Sequence, residues 1–145
     1  VSREVRTLRG KIRPYNGATG DTGKVRIIVD DGVFTDAWQV IGFDVFPTNA
    51  TGNDVQGLLS IDEGGLTGGF DAGDNRQIGW SFMYVGTDGG DSNSWIVPDH
   101  VVVRDLWLMN FGNHTMNYLI RVRRRVLNDD QAILALIQER SQDDL

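Results

Sequence analysis

The stretch 76-RQIGWSFMYVGTDGGDSN-93 decides the fold class. Ile78, Trp80, Phe82 and Tyr84 alternate with Gly79, Ser81, Met83 and Val85. A period of two is strand geometry, because successive side chains of an extended chain point to opposite faces. The Asp-Gly-Gly-Asp-Ser-Asn run behind it is turn chemistry. Working outward, the same punctuation recurs. In 24-KVRIIVDDG-32, Val25, Ile27 and Val29 alternate before an Asp-Gly turn signal. In 34-FTDAWQVIGFDVFPTN-49, Ile41, Phe43 and Val45 share a face, and Pro47 ends the strand. The stretch 100-HVVVRDLWLMNFG-112 reads as one strand, with Val102, Arg104, Leu106, Leu108 and Asn110 on one side and Val101, Val103, Asp105, Trp107 and Met109 on the other. Near the start, Arg9, Lys11 and Arg13 lie opposite Leu8 and Ile12. Strands with turn signals every 10 to 15 residues or so, and no strand–helix alternation, predict an all-β antiparallel β-sandwich.

The predicted sandwich covers residues 1–127, and residues 128–145 form a C-terminal helix and acidic tail. Asn128 is a helix N-cap with Gln131 three residues on, and Asp129 and Asp130 sit where the helix dipole favours acids. Ile133, Leu134, Leu136 and Ile137 make an apolar stripe over a short α-helix of 128–142. A helix of about 13 residues is marginal alone in water, so this stripe must dock on something.

The chain has 145 residues and no Cys, which excludes disulfides, thiolate nucleophiles and Cys-based zinc sites. Its 18 Gly, about 12% against about 7% on average, fit many tight turns. No apolar run approaches the length of a membrane-spanning helix, so no membrane insertion is expected, and no signal-peptide pattern is visible. Net charge is −6 but unevenly spread. Residues 1–26 carry seven basic side chains against two acids, and 27–120 carry two against thirteen. Four arginines follow in 121–125, then one against five acids in 128–145. Such segregation suits charge complementarity between surfaces.

On an extended chain Arg121, Arg123 and Arg125 point one way. They repel unless a counter-charge is present: acids of the same domain, acids of a neighbouring copy, or phosphate. Arg9, Lys11 and Arg13 are the corresponding candidates for nucleic-acid contact, against which stands the overall acidity. Asp71, Asp74, Asp88 and Asp91 in the acidic Gly-rich loops have oxygen-ligand chemistry suited to calcium, although Asp and Gly are also ordinary turn residues and no EF-hand loop is matched. His100 and His114 have no partner at ligand spacing, and no Ser sits in a nucleophile elbow, so no catalytic site is expected. Of Trp38, Trp80, Trp95 and Trp107, three lie in apolar strands where core packing is the usual role, and Trp95 is the best candidate for an exposed sugar platform. The sequons at Asn49 and Asn113 matter only in a secretory host.

A cysteine-free all-β chain with Gly-rich loops, no catalytic motif and segregated charge resembles the viral jelly-roll coat and minor capsid proteins. The ending "YLIRVRRRVLNDDQAILALIQERSQDD" is similar to the strand-then-helix tails of some small coat proteins. The resemblance implies a jelly-roll-like sandwich of about eight strands, a structural role in a virion, and self-assembly with copies of itself and other capsid proteins. Here Arg121, Arg123, Arg125, Ile133, Leu134, Leu136 and Ile137 are the expected interface. No long Arg/Lys-rich N-terminal arm is present, which favours a shell, decoration or spike role over genome packaging. The competing expectation is a β-sandwich carbohydrate-binding module with structural calcium.

Overall fold

The computed structural model describes residues 4–29, 32, 35–48, 53–86, 89–97, 99, 101–102, 104–126, 128, 130–131, 133–134 and 137, with Asn53 described by its backbone alone. Nine strands run through them: β1 (Val5–Ile12), β2 (Lys24–Ile28), β3 (Asp36–Pro47), β4 (Asn53–Ser60), β5 (Gln77–Gly86), β6 (Gly89–Ile96), β7 (Val101–Val102), β8 (Asp105–Asn110) and β9 (Met116–Val126). They form two antiparallel sheets. Sheet I has the order β1-β9-β3-β7 and sheet II the order β2-β8-β4-β5-β6. The pairing is nested. β1 pairs with β9, β2 with β8, β3 with β7 and β4 with β5, as if one long hairpin had been rolled up. Lateral pairing of β3 with β9 and of β4 with β8 knits the roll into layers.

The fold class read from the sequence stands as an all-β sandwich of two antiparallel sheets, but four details differ. First, about eight strands become nine. The polar run 89–93, read as a turn, belongs to an edge strand, Gly89–Ile96, paired to β5 through its backbone, which asks little of side-chain propensity. Polar side chains also suit an edge strand, where apolar ones invite aggregation. Second, the single strand expected across 100–112 is two strands in different sheets. Val102, Leu106, Leu108 and Asn110 are buried, but Arg104 is only half-buried and Asp105 is buried, so the alternation breaks where the chain changes sheet. Third, a bulge between Val40 and Gly42 resets the pleat, so Trp38 and Val40 join Phe43 and Val45 in the core.

Fourth, the C-terminal α-helix is not among the elements. Much of it, including Leu136, lies outside the described residues. Among the described residues there, Asp130, Gln131, Ile133, Leu134 and Ile137 have helical backbone. Asn128 N donates to Gln131 Oε1 at 3.1 Å, and Gln131 N donates to Asn128 Oδ1 at 2.8 Å. Ile133, Leu134 and Ile137 are 49%, 59% and 53% exposed, so these described members of the stripe are not buried in the single chain.

Trp38, Phe43, Leu59, Leu106, Leu108 and Ile120 fill the space between the sheets. Phe43 fits because sheet II presents Gly57 and Gly79 opposite it. A Cβ at Gly57 would stand 3.1 Å from Phe43 Cζ, and one at Gly79 would stand 3.0 Å from Phe43 Cδ2. Gly79 and Ser81 therefore face inward on β5, and the aromatic side of that strand faces out. The sheets are also stitched at one edge. Val45 N, on β3, donates to Ser81 Oγ at 3.2 Å, Ser81 Oγ meets Ser94 Oγ at 2.7 Å, and Ser94 Oγ donates to Asp44 Oδ1 at 3.1 Å.

Candidate functional site

The two outer faces differ in chemistry. On sheet I, β1 register sets Arg9 beside Leu119, Lys11 beside Asn117, Thr7 beside Arg121 and Val5 beside Arg123. On the other flank, Arg121 is paired with Gly42, Arg123 with Gln39 and Arg125 with Ala37. Paired residues share a face, so Arg9, Lys11, Arg121, Arg123 and Arg125 all stand on the outside of one sheet. Two groups more than a hundred residues apart in sequence thus become one surface. Gly42 lets the Arg121 side chain lie across β3, since a Cβ there would sit 2.9 Å from Arg121 Nε. Arg13 is exposed just past the end of β1.

The ion pairs sort by location. Arg6 pairs with Glu4, Lys24 with Glu63, Arg26 with Asp105, Arg76 with Asp62 and Asp74, and Arg124 with the buried Asp36. Among the described residues, no carboxylate pairs with Arg9, Lys11, Arg13, Arg121, Arg123 or Arg125. Arg125 reaches only the neutral Gln39 Oε1, at 3.4 Å. Asp44 at the β6 margin is the one acid that β1, β3 and β9 carry on this face. Neighbouring cations about 7 Å apart repel by about 0.6 kcal/mol even in water-like dielectric. Amid the charges lies a hollow of about 380 Å³, lined by Arg9, Lys11, Phe46, Asn117, Tyr118 and Leu119. Burial raises the Tyr118 hydroxyl pKa above its ordinary value.

The outer face of sheet II is aromatic. Trp80 on β5 stands directly opposite Trp95 on β6. With Phe70 and Ala72 they line a cradle of about 450 Å³. Trp95 is 49% exposed and Phe70 41%. Phe82 stacks on Trp95 at 5.9 Å between centroids, and Phe111 meets Phe70 edge-on at 6.3 Å. One buried amide holds the walls. Gln77 Oε1 accepts from Trp80 Nε1 and from Asp71 N, both at 2.8 Å. Its Nε2 donates to Gly65 O and Gly69 O, both at 2.9 Å. All four bonds a glutamine amide can make are used. Of the tryptophans expected in the core, Trp38 is there, stacked beneath the Arg6 guanidinium at 4.7 Å. Trp80 and Trp107 are only half-buried. Sequence reasoning missed Gln77, because nothing local marks it as the hub of a loop six to twelve residues away.

The described calcium candidates are Asp71, Asp74 and Asp91, of which Asp71 and Asp74 share one turn, Asp74 N donating to Asp71 O at 3.1 Å. Asp71 Oδ1 accepts from Gly73 N at 2.9 Å in a turn, and Asp91 is exposed on β6. Asp88 lies outside the described residues. Asp74 receives Arg76 Nε and Nη2 at 2.9 and 2.8 Å, and this bidentate pairing lowers the Asp74 pKa while raising that of Arg76. Among the described residues no group of three acidic or imidazole side chains converges where a metal could be held. His100 lies outside the described residues, and His114 contributes its carbonyl to Asn110 Nδ2 at 2.8 Å. Among the described residues, no helix is long and apolar enough to cross a membrane. Comparison with protein-family models, with curated proteins and with solved structures finds no match to this chain.

Proposed function

We propose that this chain is a structural, self-assembling coat or capsid-associated protein of a virion, forming a shell through contacts between its copies and with other capsid proteins. The observation that carries the reading is the outer face of sheet I. Five cations stand there with Asp44 at the margin and, among the described residues, no carboxylate paired to any of them, in a chain whose net charge is −6. Copies of the chain can answer that imbalance for one another, since each brings surplus acid to the next one's basic face. The strand order supports the same reading. Nested pairs β1·β9, β2·β8, β3·β7 and β4·β5 in two layers match a jelly roll, with β6 as an added edge. In this role the chain is structural rather than catalytic.

Light scattering coupled to size exclusion tests it. At about 10 μM protein and about 0.05 M salt, masses well above the 16.1 kDa monomer are expected. They should fall back toward the monomer at about 1 M salt, where the screening length shrinks to roughly 3 Å. A monomer at every salt concentration overturns the proposal.

The aromatic cradle favours a second reading, a carbohydrate-binding module. Exposed Trp and Phe faces stack on the apolar face of a sugar ring, and Gln77 holds the walls of the cradle. Titration of a glycan panel should then change Trp emission, and Trp95→Ala should abolish the change. Silence across the panel removes this reading.

A further inference from the structure

We propose that the basic outer face of sheet I receives residues 128–145 of a second copy of this chain, an inference that rests on the self-assembly reading above and names its contact. Charge is the first argument. The face carries Arg9, Lys11, Arg121, Arg123 and Arg125, with Asp44 alone at its margin. Residues 128–145 carry Asp129, Asp130, Glu139, Asp143 and Asp144 against Arg140, a net charge of −4. Apolar surface is the second. Ile133, Leu134 and Ile137 are about half exposed in the single chain and take no part in the core. The face offers them the hollow between Phe46, Leu119 and the stems of Arg9 and Lys11.

Dimensions agree as well. From the level of Asn117 to that of Arg125, the basic stripe spans eight residue steps of β9, roughly 26 Å. The helix expected over 128–142 would measure about 22 Å, within that span. Docking within one chain is disfavoured by the exposure of Ile133, Leu134 and Ile137. In a two-fold pair, each copy's segment, leaving the end of β9, lies across the other's face, so one symmetric contact is made twice.

The test uses two full-length variants with reversed charge. The first is Arg121→Glu, Arg123→Glu and Arg125→Glu. The second is Asp129→Lys, Asp130→Lys, Asp143→Lys and Asp144→Lys. Sedimentation velocity at low salt should show each variant alone associating at least about tenfold more weakly than the unaltered protein. An equimolar mixture should recover the lost association, because each reversed surface now meets its complement. The three arginines are exposed, and circular dichroism checks that both variants keep their strands. If both variants assemble as well as the unaltered chain, this contact is refuted while self-assembly stands. If even the unaltered chain stays monomeric, the underlying reading fails with it. If the mixture recovers nothing, the two surfaces are not partners. If single-stranded nucleic acid binds the unaltered chain, is lost in the first variant, and the mixture recovers no oligomer, the face belongs to nucleic acid and the inference is overturned.

Discussion

Replacing Gln77 with Ala is expected to lower the unfolding free energy by about 3 kcal/mol. The side chain is 2% exposed and makes four hydrogen bonds, at 2.8 to 2.9 Å. Truncation leaves Asp71 N, Trp80 Nε1, Gly65 O and Gly69 O without their partner. A buried polar group left unsatisfied costs about 1–3 kcal/mol, reduced where water enters the gap. The loop carrying Phe70 should loosen at the same time, since Gly68 and Gly69 at φ 87° and 82° give it little stiffness of its own. Gln77→Glu should not recover the loss at neutral pH, because its second carboxylate oxygen would face the Gly65 and Gly69 carbonyl oxygens, both acceptors, in a buried site. Urea unfolding followed by Trp emission measures this. A loss below about 1 kcal/mol for Gln77→Ala would mean that the amide does not hold the cradle.

Phe43→Ala should cost about 3–5 kcal/mol, the range for emptying a large aromatic site in a packed core. For a domain of this size that lowers Tm by about 10 °C or more. The sharper expectation concerns Gly79. Gly79→Ala alone should destabilise by about 1–3 kcal/mol, because its Cβ would press on Phe43 Cδ2 at 3.0 Å and on Leu59 Cβ at 3.2 Å. In the Phe43→Ala background the ring is gone, so the same change should be milder by about 1 kcal/mol. Thermal unfolding of the two single variants and the double variant gives the coupling. Additivity within about 0.5 kcal/mol would mean that Gly79 is not what makes room for the ring.

The candidate faces were legible to different degrees. The outward set Arg121, Arg123 and Arg125 follows from alternation alone, and so does Arg9 with Lys11. Nothing local said that the two sets meet, because that requires β1 to pair with β9 in one particular register. Alternation on β5 was equally plain, but its orientation was not. The aromatic side looks like the core side from composition, yet the glycine side faces Phe43, and Trp80 turns out toward Phe70 and Trp95. A strand's inner face is chosen by what stands opposite, and small residues win where the partner is large. Asp74 shows the same limit in charge, since its calcium chemistry is pre-empted by Arg76 two residues on.

Local rules were enough for the all-β class, because a period of two is imposed by backbone geometry and needs no distant partner. They were enough too for the charge segregation, which is written in the order of residues. Tertiary contact alone decided that one apparent strand became β7 and β8 in separate sheets, that the pleat of β3 slips at Ile41, and that five cations share one surface. Each of these depends on pairing and burial between segments far apart in the chain, where the free energy lies in fitting two surfaces together and neither surface encodes the fit by itself.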